Sequence, residues 1–186
     1  AASLCSSARK RFNSAGLAEG MDGNLIIIGM PGAGKSTVGV LLAKRLGYDF
    51  IDSDVIIQLQ EGDVLQEILD RRGYQALRAV EQDVLLSLQL TRTVLATGGS
   101  AVYSEEGMSQ LAANGTVIYL RAPLSALEAR VRDFEARGVA REPEQSLQDV
   151  FEERTPLYEH YAEITVDATQ SADEVVAAIA CSLKAR

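Results

Sequence analysis

The chain has 186 residues and a formal net charge of −8. This length suits one α/β domain with a real hydrophobic core and is short for two domains. The negative charge argues against a broad surface for nucleic acid or anionic membrane, and no apolar run reaches membrane-spanning length. The two cysteines, Cys5 and Cys181, are typical of free thiols in a reducing compartment. We therefore expect a cytoplasmic, monomeric protein that binds neither nucleic acid nor membrane.

Residues 1–20 differ in composition from the rest of the chain. They are rich in Ala and Ser, contain three basic residues at positions 9–11 and hold one acid, Glu19. We predict a disordered leader or extension here, followed by a single domain over residues 21–186. An organelle transit peptide shares this composition and is the alternative.

A glycine-punctuated loop follows the first predicted element, a buried strand at residues 25–28. From residue 29 to residue 36 the spacing is G-x-x-x-x-G-K-[ST], between a strand and a helical pattern. Glycines bring backbone N–H groups close to a ligand, and the following helix adds its positive end, so the loop can hold phosphate oxygens. Lys35 can reach the β- and γ-phosphates, and Ser36 can offer its hydroxyl to Mg²⁺. The predicted nucleotide-binding residues are Gly32, Ala33, Gly34, Lys35, Ser36 and Thr37.

Strands and helices alternate along the rest of the chain, which predicts a mostly parallel sheet covered by helices on both faces. Residues 134–146 show no period, and a polar loop of this length is typical of a lid, a binding loop or a disordered segment. We predict strands at 48–51, 93–97, 116–120 and 164–166, and helices at 35–46, 55–70 with a break at Gly62, 74–90, 104–113, from 123, 147–158 and 172–183.

Two predicted strands end in residues that suit a ligand crevice, which in such sheets lies at the carboxyl ends of the strands. Asp52 and Asp54 follow the second strand, and side chains two residues apart at a strand end point the same way. One carboxylate can hold hydrated Mg²⁺, while the other can orient an attacking hydroxyl and accept its proton. A helix N-cap plus a turn acid is the alternative interpretation. Gly98 and Gly99 follow the third strand and predict backbone close to a ligand.

Several segments together resemble the shikimate kinase family. The resemblance spans nearly all of residues 21–186. It implies a three-layer α/β/α P-loop kinase fold, similar to nucleoside monophosphate kinases, with a five-stranded parallel sheet in the order 2-3-1-4-5 and a mobile lid at about 134–146. The matching segments are residues 32–39, 42–43, 50–54, Arg78, Glu81, Gly98, Gly99, 154–158 and Ala162.

The resemblance implies ATP-dependent phosphorylation of a hydroxyl of shikimate, giving shikimate 3-phosphate in aromatic amino-acid biosynthesis. It implies that Ser36 and Asp52 serve Mg²⁺, Asp52 through water, and that Asp54 contacts the acceptor hydroxyls and acts as the base. It also implies that Arg78 and Arg154 clamp the acceptor carboxylate and that the backbone of Gly98 and Gly99 lies against the acceptor ring. At the nucleotide end, it implies that Arg137 is the lid arginine on the transferring phosphate and that Arg130 lies over the adenine.

Three departures from the family pattern fall in the acceptor pocket and the lid. Ser100 stands where the family has a third glycine, Leu77 replaces a phenylalanine, and residues 137–143 differ from the family lid, so either Arg137 or Arg141 can be the lid arginine. Another small hydroxy-carboxylate, such as homoserine or gluconate, is therefore an alternative acceptor. A catalytically silent nucleotide-binding relative is the alternative of a different class.

Overall fold

The computed structural model describes residues 23–130, 138–142 and 144–186. In this part of the chain, strands and helices alternate, and no helix is both long and apolar enough to cross a bilayer. The predicted leader and Arg137 lie outside the described residues. The elements in order are β1 (Asn24–Ile28), α1 (Lys35–Leu46), β2 (Asp49–Asp52), α2 (Ser53–Glu61), α3 (Leu65–Ser87), β3 (Thr93–Ala96), a 3₁₀ turn (Ala101–Tyr103), α4 (Glu105–Ala113), β4 (Gly115–Arg121), α5 (Leu124–Arg130), α6 (Leu147–Tyr161), β5 (Ile164–Asp167) and α7 (Ala172–Lys184).

The strands form one parallel sheet in the order β2-β3-β1-β4-β5. This confirms the predicted P-loop kinase fold and its strand order. β1 lies at the centre, where Leu25 pairs with Val94 on one side and with Thr116 on the other. All five residues of β1 are buried, as expected for a parallel strand that helices cover on both faces.

The helices between β2 and β3 differ from the prediction in their boundaries. The predicted break at Gly62 is confirmed, since this glycine ends α2 in the left-handed region with φ 73°. The predicted separation of residues 55–70 from 74–90 is confirmed, because α3 (Leu65–Ser87) consists of two helical segments that meet at Gly73, a residue with non-helical backbone angles. Gly73 has φ 79° and ψ 167°, a conformation that a residue without a Cβ adopts at little cost, so the chain changes direction between the two helical segments.

The carboxyl ends of β1, β2 and β3 lie side by side and carry the candidate site. β1 leads into the phosphate loop, β2 leads directly into α2, and β3 leads into the glycine pair. The Thr97 N–H donates to the Ile27 carbonyl at 3.1 Å, which keeps the ends of β3 and β1 in register. A second apolar cluster packs beside this edge and supports α2 and α3: Ile57, Ile68, Leu77, Val84 and Ala140.

Candidate active site

The N-terminus of α1 presents unshielded backbone N–H groups at the end of the phosphate loop. Gly34 is the N-cap, with φ 95° and ψ 19°, and no side chain caps the helix. The first turn contains no acidic residue. Because the first N–H groups of a helix have no partner within it, this end can accept phosphate oxygens, which the helix dipole also favours.

Lys35 lies folded against the loop that precedes it. Its Nζ donates to the carbonyls of Gly29 at 2.8 Å and Met30 at 3.0 Å. Burial lowers the pKa of Lys35 to about 8, and the nearby Asp54 carboxylate opposes this shift. An anion bound on the loop would therefore lie beside the Lys35 ammonium, which is already desolvated, and the attraction between the two charges would be strong.

One cavity of about 380 Å³ joins the phosphate loop to the glycine pair after β3. Most of the predicted site residues line it, which confirms that the fold brings them together. Ala33 is buried behind the loop, and neither Asp52 nor Arg78 lines this cavity. The lining residues that were predicted are Gly32, Gly34, Lys35, Ser36, Thr37 and Arg130 towards the phosphate loop, and Asp54, Gly98, Gly99 and Arg154 towards the other end.

Asp52 and Asp54 differ in their contacts at the carboxyl end of β2, although both lie close enough to Lys35 to oppose the lowering of its pKa by burial. β2 ends at Asp52 and α2 begins at Ser53, which replaces the two-residue period of a strand by that of a helix. Asp52 is the N-cap of α2, and its Oδ1 accepts the Asp54 N–H at 3.0 Å. The N-cap interpretation is therefore right for Asp52, while Asp54 alone lines the cavity.

The Asp54 carboxylate makes no hydrogen bond to any residue that the structure describes. Burial raises the pKa of Asp54 to about 6; the Lys35 ammonium opposes this rise, and Asp52 adds to it. A carboxylate with a raised pKa and free oxygens has the properties of a general base near neutral pH.

Gly98 brings two carboxylates together. Its N–H donates to Ser53 Oγ at 2.9 Å. A methyl group on its α-carbon would lie 2.1 Å from Glu81 Oε1 and 2.7 Å from Asp54 Oδ1. A side chain here would require both carboxylates to move, and the two acids therefore flank the same small area of backbone at the cavity wall.

Arg78 and Arg154 converge, although they come from different helices. The Arg154 side chain is 1% exposed, and its Nη2 donates to the Ala140 carbonyl at 2.6 Å. Arg78 Nη2 donates to the same oxygen at 3.3 Å. Both guanidinium groups also lie near the Tyr103 ring, at 3.7 Å for Arg78 and 5.2 Å for Arg154. No carboxylate among the described residues lies within 4 Å of either group, so two cations share one neutral oxygen where an anion would fit.

Three residues of this region were given no function in the sequence analysis, although Tyr158 lies in a segment that matches the family. Tyr103 lies beneath both guanidinium groups, and its oxygen accepts the Arg154 Nε–H at 3.3 Å. Ala140 supplies the shared carbonyl. Tyr158 donates to the Gly99 carbonyl at 2.6 Å, and its position one helical turn after Arg154 was a usable signal. Nothing in the local sequence pointed to Tyr103 or Ala140.

Arg130 and Arg141, the two other predicted arginines that the structure describes, lie outside the acceptor end. Arg130 lines the cavity and donates to the Ala168 carbonyl at 2.8 Å. Arg141 donates to the carbonyl of Gln145 at 2.5 Å, within its own loop, and does not line the cavity. Arg137, the predicted lid arginine, lies outside the described residues and stays a prediction.

Comparison with known proteins shows the family of this chain. The family model for shikimate kinase matches residues 31–184. The chain belongs to the shikimate kinase family. A shikimate kinase from Chromobacterium violaceum is 42% identical over 155 residues, which cover 82% of this chain and 84% of that protein. The structure of a shikimate kinase from Acinetobacter baumannii in complex with shikimate has a TM-score of 0.78 and 32% identity, covering 88% of this chain and 93% of that one. A shikimate kinase structure from Aquifex aeolicus has a TM-score of 0.75 and 32% identity, covering 87% and 96%.

Proposed function

We propose that this chain transfers the γ-phosphoryl group of ATP to a hydroxyl of shikimate, giving shikimate 3-phosphate. One observation carries the proposal: a phosphate loop, the half-buried carboxylate of Asp54 and a buried guanidinium group line one cavity, and a second guanidinium group converges on the first. These are the parts that phosphoryl transfer to a carboxylated alcohol needs. Membership of the shikimate kinase family supports both the ATP-dependent reaction and this acceptor.

At the nucleotide end, the loop residues 32–37 would hold the phosphates through backbone N–H groups. Lys35 would exchange the carbonyls of Gly29 and Met30 for the β- and γ-phosphate oxygens, which as anions attract the ammonium more strongly. Arg130 would lie beside the adenine, because it borders this end of the cavity. Arg137 is the proposed lid arginine on the transferring group.

The oxygen donors near the phosphate loop fit Mg²⁺. This ion keeps several waters and takes one or two protein oxygens together with substrate phosphates. Ser36 offers an exposed hydroxyl, and Asp52 keeps one carboxylate oxygen beyond the N-cap hydrogen bond. The described residues contain no group of three or more His, Cys, Asp or Glu side chains that could hold a metal ion. When bound, Mg²⁺ would neutralise charge on the phosphates.

At the acceptor end, Asp54 would accept the proton of the attacking hydroxyl while the ring rests on the backbone of Gly98. The acceptor carboxylate would take the hydrogen bonds that Arg154 and Arg78 now give to the Ala140 carbonyl. An anion is a stronger partner for two guanidinium groups than a neutral carbonyl, and Arg binds a carboxylate with two parallel hydrogen bonds.

The acceptor assignment is tested with a coupled assay of ATP consumption against a panel of shikimate, homoserine and gluconate. We expect kcat/KM for shikimate to exceed the other values by at least about 10³-fold, because a site built around specific polar groups rejects analogues that leave them unpaired. A preference for homoserine or gluconate would change the proposed acceptor but would leave the proposed kinase activity in place. Well-folded protein that transfers phosphate to none of them would support the catalytically silent alternative.

If the acceptor carboxylate displaces the Ala140 carbonyl from the two arginines, amide hydrogen exchange near Ala140 should change. Gly138, Val139 and Ala140 are buried against α3, and the Gly138 N–H donates to Gln66 Oε1 at 2.7 Å. If the acceptor carboxylate replaces the Ala140 carbonyl, saturating shikimate will change amide hydrogen exchange in residues 138–142. Deuterium uptake is compared with and without acceptor, with α7 as the internal reference. Identical uptake in residues 138–142 would mean that the carboxylate binds elsewhere.

A further inference from the structure

Glu81 is a buried carboxylate with one oxygen in use and one free. The residue is 3% exposed, and its Oε2 accepts a hydrogen bond from the Ser100 hydroxyl. Its Oε1 is buried and has no hydrogen-bond partner among the described residues. Burying a charged oxygen without a partner costs several kcal/mol in general, so an unpaired one beside a ligand cavity indicates a group that a ligand completes.

The free oxygen of Glu81 faces the acceptor end of the cavity. It lies against the α-carbon of Gly98 on the same side as Asp54 Oδ1, and Glu81 lines the cavity. Burial raises the pKa of Glu81 to about 7; Asp54 raises it further, while the Ser100 hydrogen bond, Arg154 and Lys35 lower it. Ser100 is thus a neutral group that favours the ionised carboxylate.

Ser100 has no other evident task. Its side chain is buried, and it precedes the 3₁₀ turn without making a capping hydrogen bond. Its backbone angles, φ −95° and ψ −2°, are open to any residue, so the position does not require the glycine that the family pattern has there. The hydroxyl therefore acts on Glu81. This gives a structural reason for Ser100 at the position where the family pattern has a third glycine.

We propose that Ser100 is a positioning residue for the acceptor, which holds Glu81 so that its free oxygen accepts a hydrogen bond from an acceptor hydroxyl other than the one phosphorylated. This inference rests on the proposed function. With Oε2 held by Ser100, Oε1 stays beside Asp54 and Gly98. The ligand class it selects is a carboxylic acid with at least two hydroxyl groups, one for Asp54 and one for Glu81.

The test compares Ser100→Ala and Ser100→Gly with the wild type, with ATP saturating and shikimate varied. We expect KM for shikimate to rise about tenfold, since a hydrogen bond to a charged group is lost, while kcat and KM for ATP change less than about threefold. The acid limb of kcat/KM for shikimate should move to higher pH, because Glu81 loses a donor that stabilises its ionised form.

Two deoxy analogues of shikimate, which lack the hydroxyl at C4 or at C5, identify the acceptor group. With the analogue that lacks the Glu81 partner, wild type and Ser100→Ala should have equal KM values. With the other analogue the tenfold difference should persist. A difference that persists with both would show that Ser100 does not act through an acceptor hydroxyl.

Ser104→Ala is the matched control. Ser104 is equally buried, but its hydroxyl accepts the Gly107 N–H at the start of α4. This variant should lose thermal stability and keep the wild-type KM and pH profile. Normal wild-type turnover with an unchanged KM in Ser100→Ala would overturn this inference alone. A wild type without shikimate kinase activity would overturn the proposed function and this inference with it.

Discussion

An Asp54→Asn variant is expected to lose about three powers of ten in kcat while its affinity for ATP changes less than about threefold, since general-base catalysis contributes on that scale. Asparagine keeps the size and shape of the side chain but cannot accept the proton. The carboxylate makes no hydrogen bond to another described residue, so its loss removes no structural contact. Turnover therefore reports the chemical role of this side chain.

The pH dependence of kcat is an independent test of Asp54 as the catalytic base. Burial raises the pKa of Asp54 to about 6, and a base works only when it is deprotonated. The wild-type kcat should therefore fall as the pH drops through about 6, and the residual activity of Asp54→Asn should lack this step. Asp54 and Glu81 lie on one side of Gly98 and their charges interact. The fall of kcat at low pH therefore reports the titration of the coupled pair rather than of Asp54 alone.

Single-turnover kinetics and nucleotide titration, measured on the same preparations, separate the two effects. Asp83→Asn is the control, because Asp83 is exposed on α3 and does not line the cavity. It should behave as the wild type. A proportional loss of ATP affinity and turnover in Asp54→Asn would mean that this carboxylate serves the nucleotide or its metal rather than the acceptor.

The nucleotide end was predictable because its information is local. A strand, a loop with glycines at set positions and a helix that begins with Lys35 all lie within about twenty consecutive residues, and each local preference agrees with the others. The alternation of strands and helices predicted the parallel sheet for the same reason. In these segments the local sequence pattern and the tertiary structure favour the same secondary structure.

At the acceptor end, Asp54 and the glycine pair were predictable from their positions at strand ends, but the convergence of the two arginines was predictable only through resemblance to a family. Arg78 and Arg154 are far apart in sequence, and their shared partner is a backbone oxygen, which no residue pattern encodes. The capping role of Asp52 depended on whether a strand or a helix continues at residue 53, and the structure shows that α2 begins there. Tyr103 reaches the site through tertiary packing of a short 3₁₀ turn, without a periodic signal.

An Arg154→Met variant is expected to raise KM for shikimate by about 10²–10³-fold, because a pair of charge-assisted hydrogen bonds contributes several kcal/mol to binding. Its free energy of unfolding should stay within about 1 kcal/mol of the wild-type value, although Arg154 is among the most buried side chains. The reason is that the guanidinium group is desolvated beside a carbonyl and a tyrosine, and no carboxylate among the described residues lies within 4 Å of it. An apolar side chain of similar length avoids that cost.

Arg154→Lys separates charge from geometry, since an ammonium keeps the charge but lacks the planar fork of donors. Its KM should lie between those of the wild type and Arg154→Met. Arg92→Met is the control: Arg92 packs 4.9 Å from the Tyr48 ring before β3, at the opposite end of the strands, and its loss should leave KM unchanged. Chemical denaturation supplies the stability values. If Arg154→Met bound shikimate like the wild type, the converging guanidinium groups would be a packing feature, and the acceptor carboxylate would need another site.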